Sequence, residues 1–117
     1  MGGGQKMRIP ESDWKQFKPV RDKALDVFCE RVLLEVASTL ADAALSNHDK
    51  FLQVYATIND RNRELARIFD GYSRSRALLQ LTMMQSSDLL DANDIGDFSE
   101  STKEHLSYAA QLEQDRS

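Results

Sequence analysis

Two histidines, one cysteine and a run of arginines are the residues of this chain whose chemistry could go beyond packing. His48 and His105 would each need further donors to hold a metal or move a proton. Their acidic neighbours Asp49 and Glu104 are adjacent in sequence, and adjacent side chains on a helix point apart. Both read as capping or surface histidines. Cys29 sits at the centre of an apolar arc, so it reads as a buried small hydrophobe; a reactive thiol wants a basic, exposed setting. As the only cysteine it can form no intramolecular disulfide, and nothing in the chain suggests an oxidising compartment. Arg61, Arg63, Arg67, Arg74 and Arg76 give residues 61–76 five positive charges against Glu64 and Asp70. Arg63, Arg67, Arg74 and Arg76 are the candidates for holding an anion, the last two beside a helix N-terminus whose amides point outward. The same stretch interlaces acids at helical spacing: Asp60 with Arg63, Glu64 with Arg61 and Arg67, and Asp70 with Arg67. That is how a solvated helix face is written.

A partial calcium-loop pattern runs from Asp91 to Thr102. Asp91, Asn93, the turn glycine Gly96 and Ser99 stand at loop positions 1, 3, 6 and 9. Ile95 replaces an oxygen ligand at position 5, and Thr102 replaces the bidentate carboxylate at position 12. The segment therefore reads as two helix caps in succession, with no metal. No nucleophile–base pair and no glycine-rich phosphate loop accompanies these residues. The sequence predicts no catalytic residue, no cofactor and no enzyme.

Composition sets the class. At 117 residues, 41% hydrophobic and 29% charged, the chain can build one ordinary globular core. Its net charge of −4 is unevenly spread: residues 88–117 hold eight acids against Lys103 and Arg116, and the rest holds thirteen bases against eleven acids. That balance disfavours a general nucleic-acid or membrane binder, although a basic regulator using Arg61–Arg76 is the alternative reading. The start, Met1 to Met7, lacks the apolar segment of a secretory signal, and Lys6 stands where a myristoylation site wants Ser or Thr. A cytoplasmic location is expected.

The elements follow from apolar periodicity, which is helical throughout. The fold expected is all-α, a small bundle of about four to five helices with two long ones. Residues 1–9 read as a disordered or tag-like start, 10–112 as a single helical domain and 113–117 as a frayed tail. Pro10 to Phe17 reads as a short helical turn, with Pro19 opening the first long helix to about Ala44. Its apolar positions, from Leu25 through Phe28, Cys29, Val32, Leu33, Val36 and Leu40, fan over about half the circumference, so it should touch two neighbours. Ser46 or Asn47 caps a second helix whose Phe51, Tyr55, Ile58, Asn62, Leu65, Phe69 and Tyr72 follow a heptad seam. Asn62 is the anomaly in that seam. It predicts either a buried amide satisfied inside the bundle or, across a parallel dimer, an amide that sets register. Gly71 should end this helix in the left-handed conformation and Ser73 cap the next. Asp91 with Asp94, then Ser99, cap a brief helix and a last one reaching about Leu112.

The third helix, Ala77 to about Ser86, is apolar on nearly every side, and such a helix must be covered from more than one direction. The expectation is a homodimer, open to a further protein partner. Leu78, Leu81 and Leu89 would face inward, Leu79, Met83 and Leu90 the second copy, and Met84 the edge of that interface.

Overall fold

The structure is a computed structural model and describes residues 9–116. Within them lie five α-helices and no strand: α1 (Glu11–Ala41), α2 (Asn47–Phe69), α3 (Ala77–Ser86), α4 (Ala92–Gly96) and α5 (Glu100–Arg116), with a 3-10 turn at Arg74–Arg76 before α3. The all-α class with two long helices is the one the periodicity predicts. The chain gathers into two compact units. One is the segment 25–70; the other joins the two ends, described over 9–24 and 71–116.

In the unit of the two ends, α1 starts eight residues before the position predicted for it, and Pro19 lies inside the helix. Proline removes one intrahelical hydrogen bond and costs about 3 kcal/mol in a helix interior. Anchors on both sides of it outweigh this. Asp13, Phe17, Val20 and Ala24 recur at 4-3-4 spacing and are all buried on one face, and each large apolar side chain so buried is worth roughly 1.5–3 kcal/mol. Trp14 stacks on Phe17 at 5.7 Å and meets Tyr72 at 4.8 Å, while the Arg21 guanidinium lies 5.5 Å from the Tyr72 ring. Residues 1–8 of the expected tag-like start lie outside the described residues. Ile9, its last member, is buried, and its carbonyl accepts from Arg74 Nε at 2.9 Å.

The apolar α3 buries one face here and leaves Leu79 exposed on another. Ala77, Gln80, Leu81 and Met84 are buried, α3 lies against α5, and Gln85 Nε2 donates to the Leu106 carbonyl at 2.8 Å. Ser73 makes no side-chain capping bond; the 3-10 turn precedes α3 instead. The end of α3 closes as a Schellman motif. Asp88 is left-handed (φ 60°), its N–H donates to Gln85, and the Leu89 N–H reaches back to Met84 at 2.9 Å. Helix α5 runs past its predicted end at about Leu112 to Arg116; Ser117 lies outside the described residues.

The 25–70 unit is a helical hairpin made of the rest of α1 and all of α2. Ser46 caps α2, its Oγ accepting from the Asp49 N–H at 3.0 Å, and Gly71 (φ 82°) follows the helix in the left-handed region. Phe28 and Phe69 meet edge to face at 6.2 Å, and Val32 and Ile68 are buried with them. Beyond this base the backbones of α1 and α2 scarcely approach each other.

Candidate interaction surface

Seven of the eleven large apolar side chains that are exposed among the described residues belong to the hairpin: Leu33, Leu34, Leu40, Phe51, Leu52, Tyr55 and Ile58. Phe51 is 70% exposed, Tyr55 67% and Leu33 63%. Single exposed leucines are ordinary on a protein surface; a contiguous apolar strip is not. Contiguity here comes from the gap between the helices. A groove of about 320 Å³ lies between Phe28, Cys29, Val32 and Leu33 of α1 and Ile58, Arg61, Asn62 and Leu65 of α2. A second, of about 560 Å³, continues from Ile58 past Tyr55, Val54 and Phe51 to Leu40. Ile58 lines both, so the two make one trough over residues 51–65 of α2, about 20 Å at 1.5 Å per residue.

The heptad seam explains the trough. Its C-terminal part is covered at Phe69, whereas Phe51, Tyr55, Ile58 and Asn62 stand in the same spacing and are exposed. Asn62 is thus no buried amide within the chain. It lies on the trough wall, and among the described residues its side chain makes no hydrogen bond. Cys29, expected buried, is only half-buried and lines the same trough. The one guanidinium on the wall, Arg61, is tied down by Glu64 at 2.6 Å and Glu35 at 3.2 Å. The Glu64 hydrogen bond, then the Glu35 charge, hold Arg61 above its ordinary pKa.

The other predicted site residues fall elsewhere. Leu79 is 50% exposed, Met83 and Leu90 are half-buried, and Met84 is fully buried in the unit of the two ends. Met84 therefore cannot stand at the edge of an outward face, because α3 is only ten residues long and its own unit covers most of it. Arg63 and Arg67 belong to the hairpin, and Arg63 lies 3.9 Å from Asp60, the predicted i, i+3 pairing. Arg74 and Arg76 belong to the other unit. There Arg74 holds the Ile9 carbonyl, and the Arg76 side chain covers Gly71 so closely that an added Cβ would lie 3.1 Å from its Nε. His48 and His105 are exposed.

The 91–102 segment is a pair of caps. The Asp94 N–H donates to Asp91 and the Asp91 N–H to Asp94, both at 2.8 Å, closing a capping box. Lys23 Nζ bridges Asp94 at 2.9 Å and Asp91 at 3.1 Å. Ser99 precedes α5, and its N–H donates to Asp13 at 2.8 Å. Among the described residues no cluster of three His, Cys, Asp or Glu side chains is placed to hold a metal. The Asp94 N–H, and after it Lys23, hold the Asp91 carboxyl below its ordinary value, and Asp94 then Asp91 hold Lys23 above its own. The Asp91 contribution to stability is therefore present above about pH 4 and is lost as the pH falls through its lowered value. That of Lys23 is present at neutral pH and lost only as the pH rises past its raised value. In Asp91→Asn the fall in melting temperature on acidification should be shallower than in the unmodified chain; identical acid profiles would contradict the bridge.

The seam on α2 is legible in the sequence but its exposure is not, and neither are the roles of Asp13 and Lys23. The signal for exposure was present in the wide apolar arc of α1, which needs two neighbours. No pattern in the sequence marks Asp13 or Lys23 for partners more than 60 residues away. Among the described residues no helix is long and apolar enough to cross a membrane. No known protein family, curated protein or solved structure matches the chain.

Proposed function

We propose that this is a non-enzymatic helical interaction module that works as a homo-oligomer, most simply a dimer, through the trough of the 25–70 hairpin. The observation that carries the reading is the run of bare apolar side chains Phe51, Tyr55 and Ile58 on an uncharged stretch of heptad seam, with Leu33 and Leu40 of α1 beside them. The trough is open along its length, whereas small molecules are held in pockets that enclose most of their surface. An elongated apolar partner, a helix, matches it better. A hairpin face about 20 Å long and two helix diameters, about 20 Å, wide offers several hundred Å² per copy, the order of the ~800 Å² each partner gives to a stable interface. A cytoplasmic location belongs to this reading, supported by the single cysteine. The alternative of nucleic-acid binding through Arg61–Arg76 is less favoured, since Arg61 and Arg74 are already engaged within the chain.

Amide hydrogen exchange tests the location of the surface. Amides of 51–65 should exchange more slowly as the protein is concentrated, because docking stabilises the helix that carries them. Those of 77–86 should not respond. Slowing confined to 77–86 would return the interface to α3, and no change anywhere would remove it.

A further inference from the structure

We infer that the second copy docks in parallel, with the two hairpin tips at the same end and Asn62 facing Asn62 of its mate. This rests on the proposed self-association and specifies its geometry. The bare seam residues Phe51, Tyr55, Ile58, Asn62 and Leu65 alternate between the two core positions of a heptad, with Tyr55 and Asn62 equivalent to each other and Phe51, Ile58 and Leu65 to one another. In a parallel arrangement each position meets its own equivalent, so apolar layers form at 51, 58 and 65 and the two Asn62 amides can donate to and accept from each other. In an antiparallel one the two kinds of position face each other, and Asn62 would be buried against Phe51 or Ile58 with no polar partner. An amide that lacks a partner within the chain is satisfied only in the first case. Flanking positions agree. At the centre of the trough the one charge is Arg61, which the parallel register sets opposite Ala66 and which Glu35 and Glu64 already neutralise; Lys50 lies toward the tip. The centre of the interface is free of unpaired charge.

Distances between labels decide the geometry. In a Cys29→Ser background, a label is placed at the tip through His48→Cys or near the hairpin base through Arg67→Cys, both at exposed positions. Dimers labelled at the tip, and mixed dimers carrying distinct labels at tip and base, are then measured. Parallel docking gives a tip-to-tip distance set by the bundle width, below about 25 Å, and a tip-to-base distance beyond about 30 Å, since 19 residues of helix separate the two sites. The reverse pattern in a chain that is still dimeric would overturn the parallel geometry and leave the interaction module standing. A mass of one chain would overturn both. Asn62→Leu supplies a second readout: it removes the register device, so the single tip-to-tip distance should broaden or species larger than the dimer appear, and a variant with the same sharp distance and mass would count against the amide pair.

Discussion

Phe51→Glu/Ile58→Glu is expected to turn the self-associated chain into a folded monomer. Both side chains are exposed in the single chain, so their replacement leaves the fold intact, with unfolding free energy changed by no more than about 0.5 kcal/mol per site. Across the proposed interface both become buried. Two-fold symmetry makes four such side chains at roughly 1.5–3 kcal/mol each, before the cost of desolvating the new carboxylates. Because Phe51 is 70% and Ile58 43% exposed beforehand, the loss is about 3–7 kcal/mol, several hundredfold or more in the dissociation constant. Leu79→Glu/Met83→Glu on α3 is the comparison. Only Leu79 of that pair is substantially exposed, so this variant should keep its oligomeric state. If the α3 pair dissociates the chain and the hairpin pair does not, the surface has been misplaced.

The largest loss of stability should come from a single carboxylate far from that surface. Asp13 is 1% exposed and accepts three hydrogen bonds at the start of α5: from the Ser99 N–H at 2.8 Å, Ser99 Oγ at 2.7 Å and Thr102 Oγ1 at 2.6 Å. Its charge also lies against the positive end of that helix. In Asp13→Ala these donors lose a charged acceptor, each such bond being worth about 1.5–3 kcal/mol. The two hydroxyls lie 3.3 Å apart and can recover part of the loss by bonding to each other. The expected cost is about 3–5 kcal/mol in urea unfolding, with Asp13→Asn intermediate because it keeps shape and one acceptor. Ser99→Ala should cost less, about 1.5–3 kcal/mol, because it removes one of these bonds and leaves Asp13 the other two. A loss below ~1 kcal/mol in Asp13→Ala would show that the cluster is dispensable.

Much of the fold was legible because it is written locally. The Ser46 cap, the Gly71 stop and the Asp91–Asp94 box each depend on residues within a few positions of one another and appear as read, and so does the seam of α2 up to Phe69; Tyr72, read as its last member, lies beyond the helix against Trp14 and Phe17. The continuity of α1 was not legible. Pro19 signals a boundary, and what overrides it is burial at Asp13, Phe17 and Val20, a tertiary effect. The site was legible in chemistry but not in place. Asn62 and the heptad register could be seen, yet whether a seam is covered by its own chain depends on how far apart two helices stand. The apolar α3 drew attention for the opposite reason. Its own unit covers one face, with Met84 at 0% exposure, and leaves Leu79 50% exposed.

Sedimentation equilibrium of the unmodified chain, from low to high micromolar concentration, tests self-association through the hairpin most directly. The expected mass is twice the 13.3 kDa of one chain, falling to 13.3 kDa in Phe51→Glu/Ile58→Glu. A mass of 13.3 kDa for the unmodified chain at every concentration would contradict it.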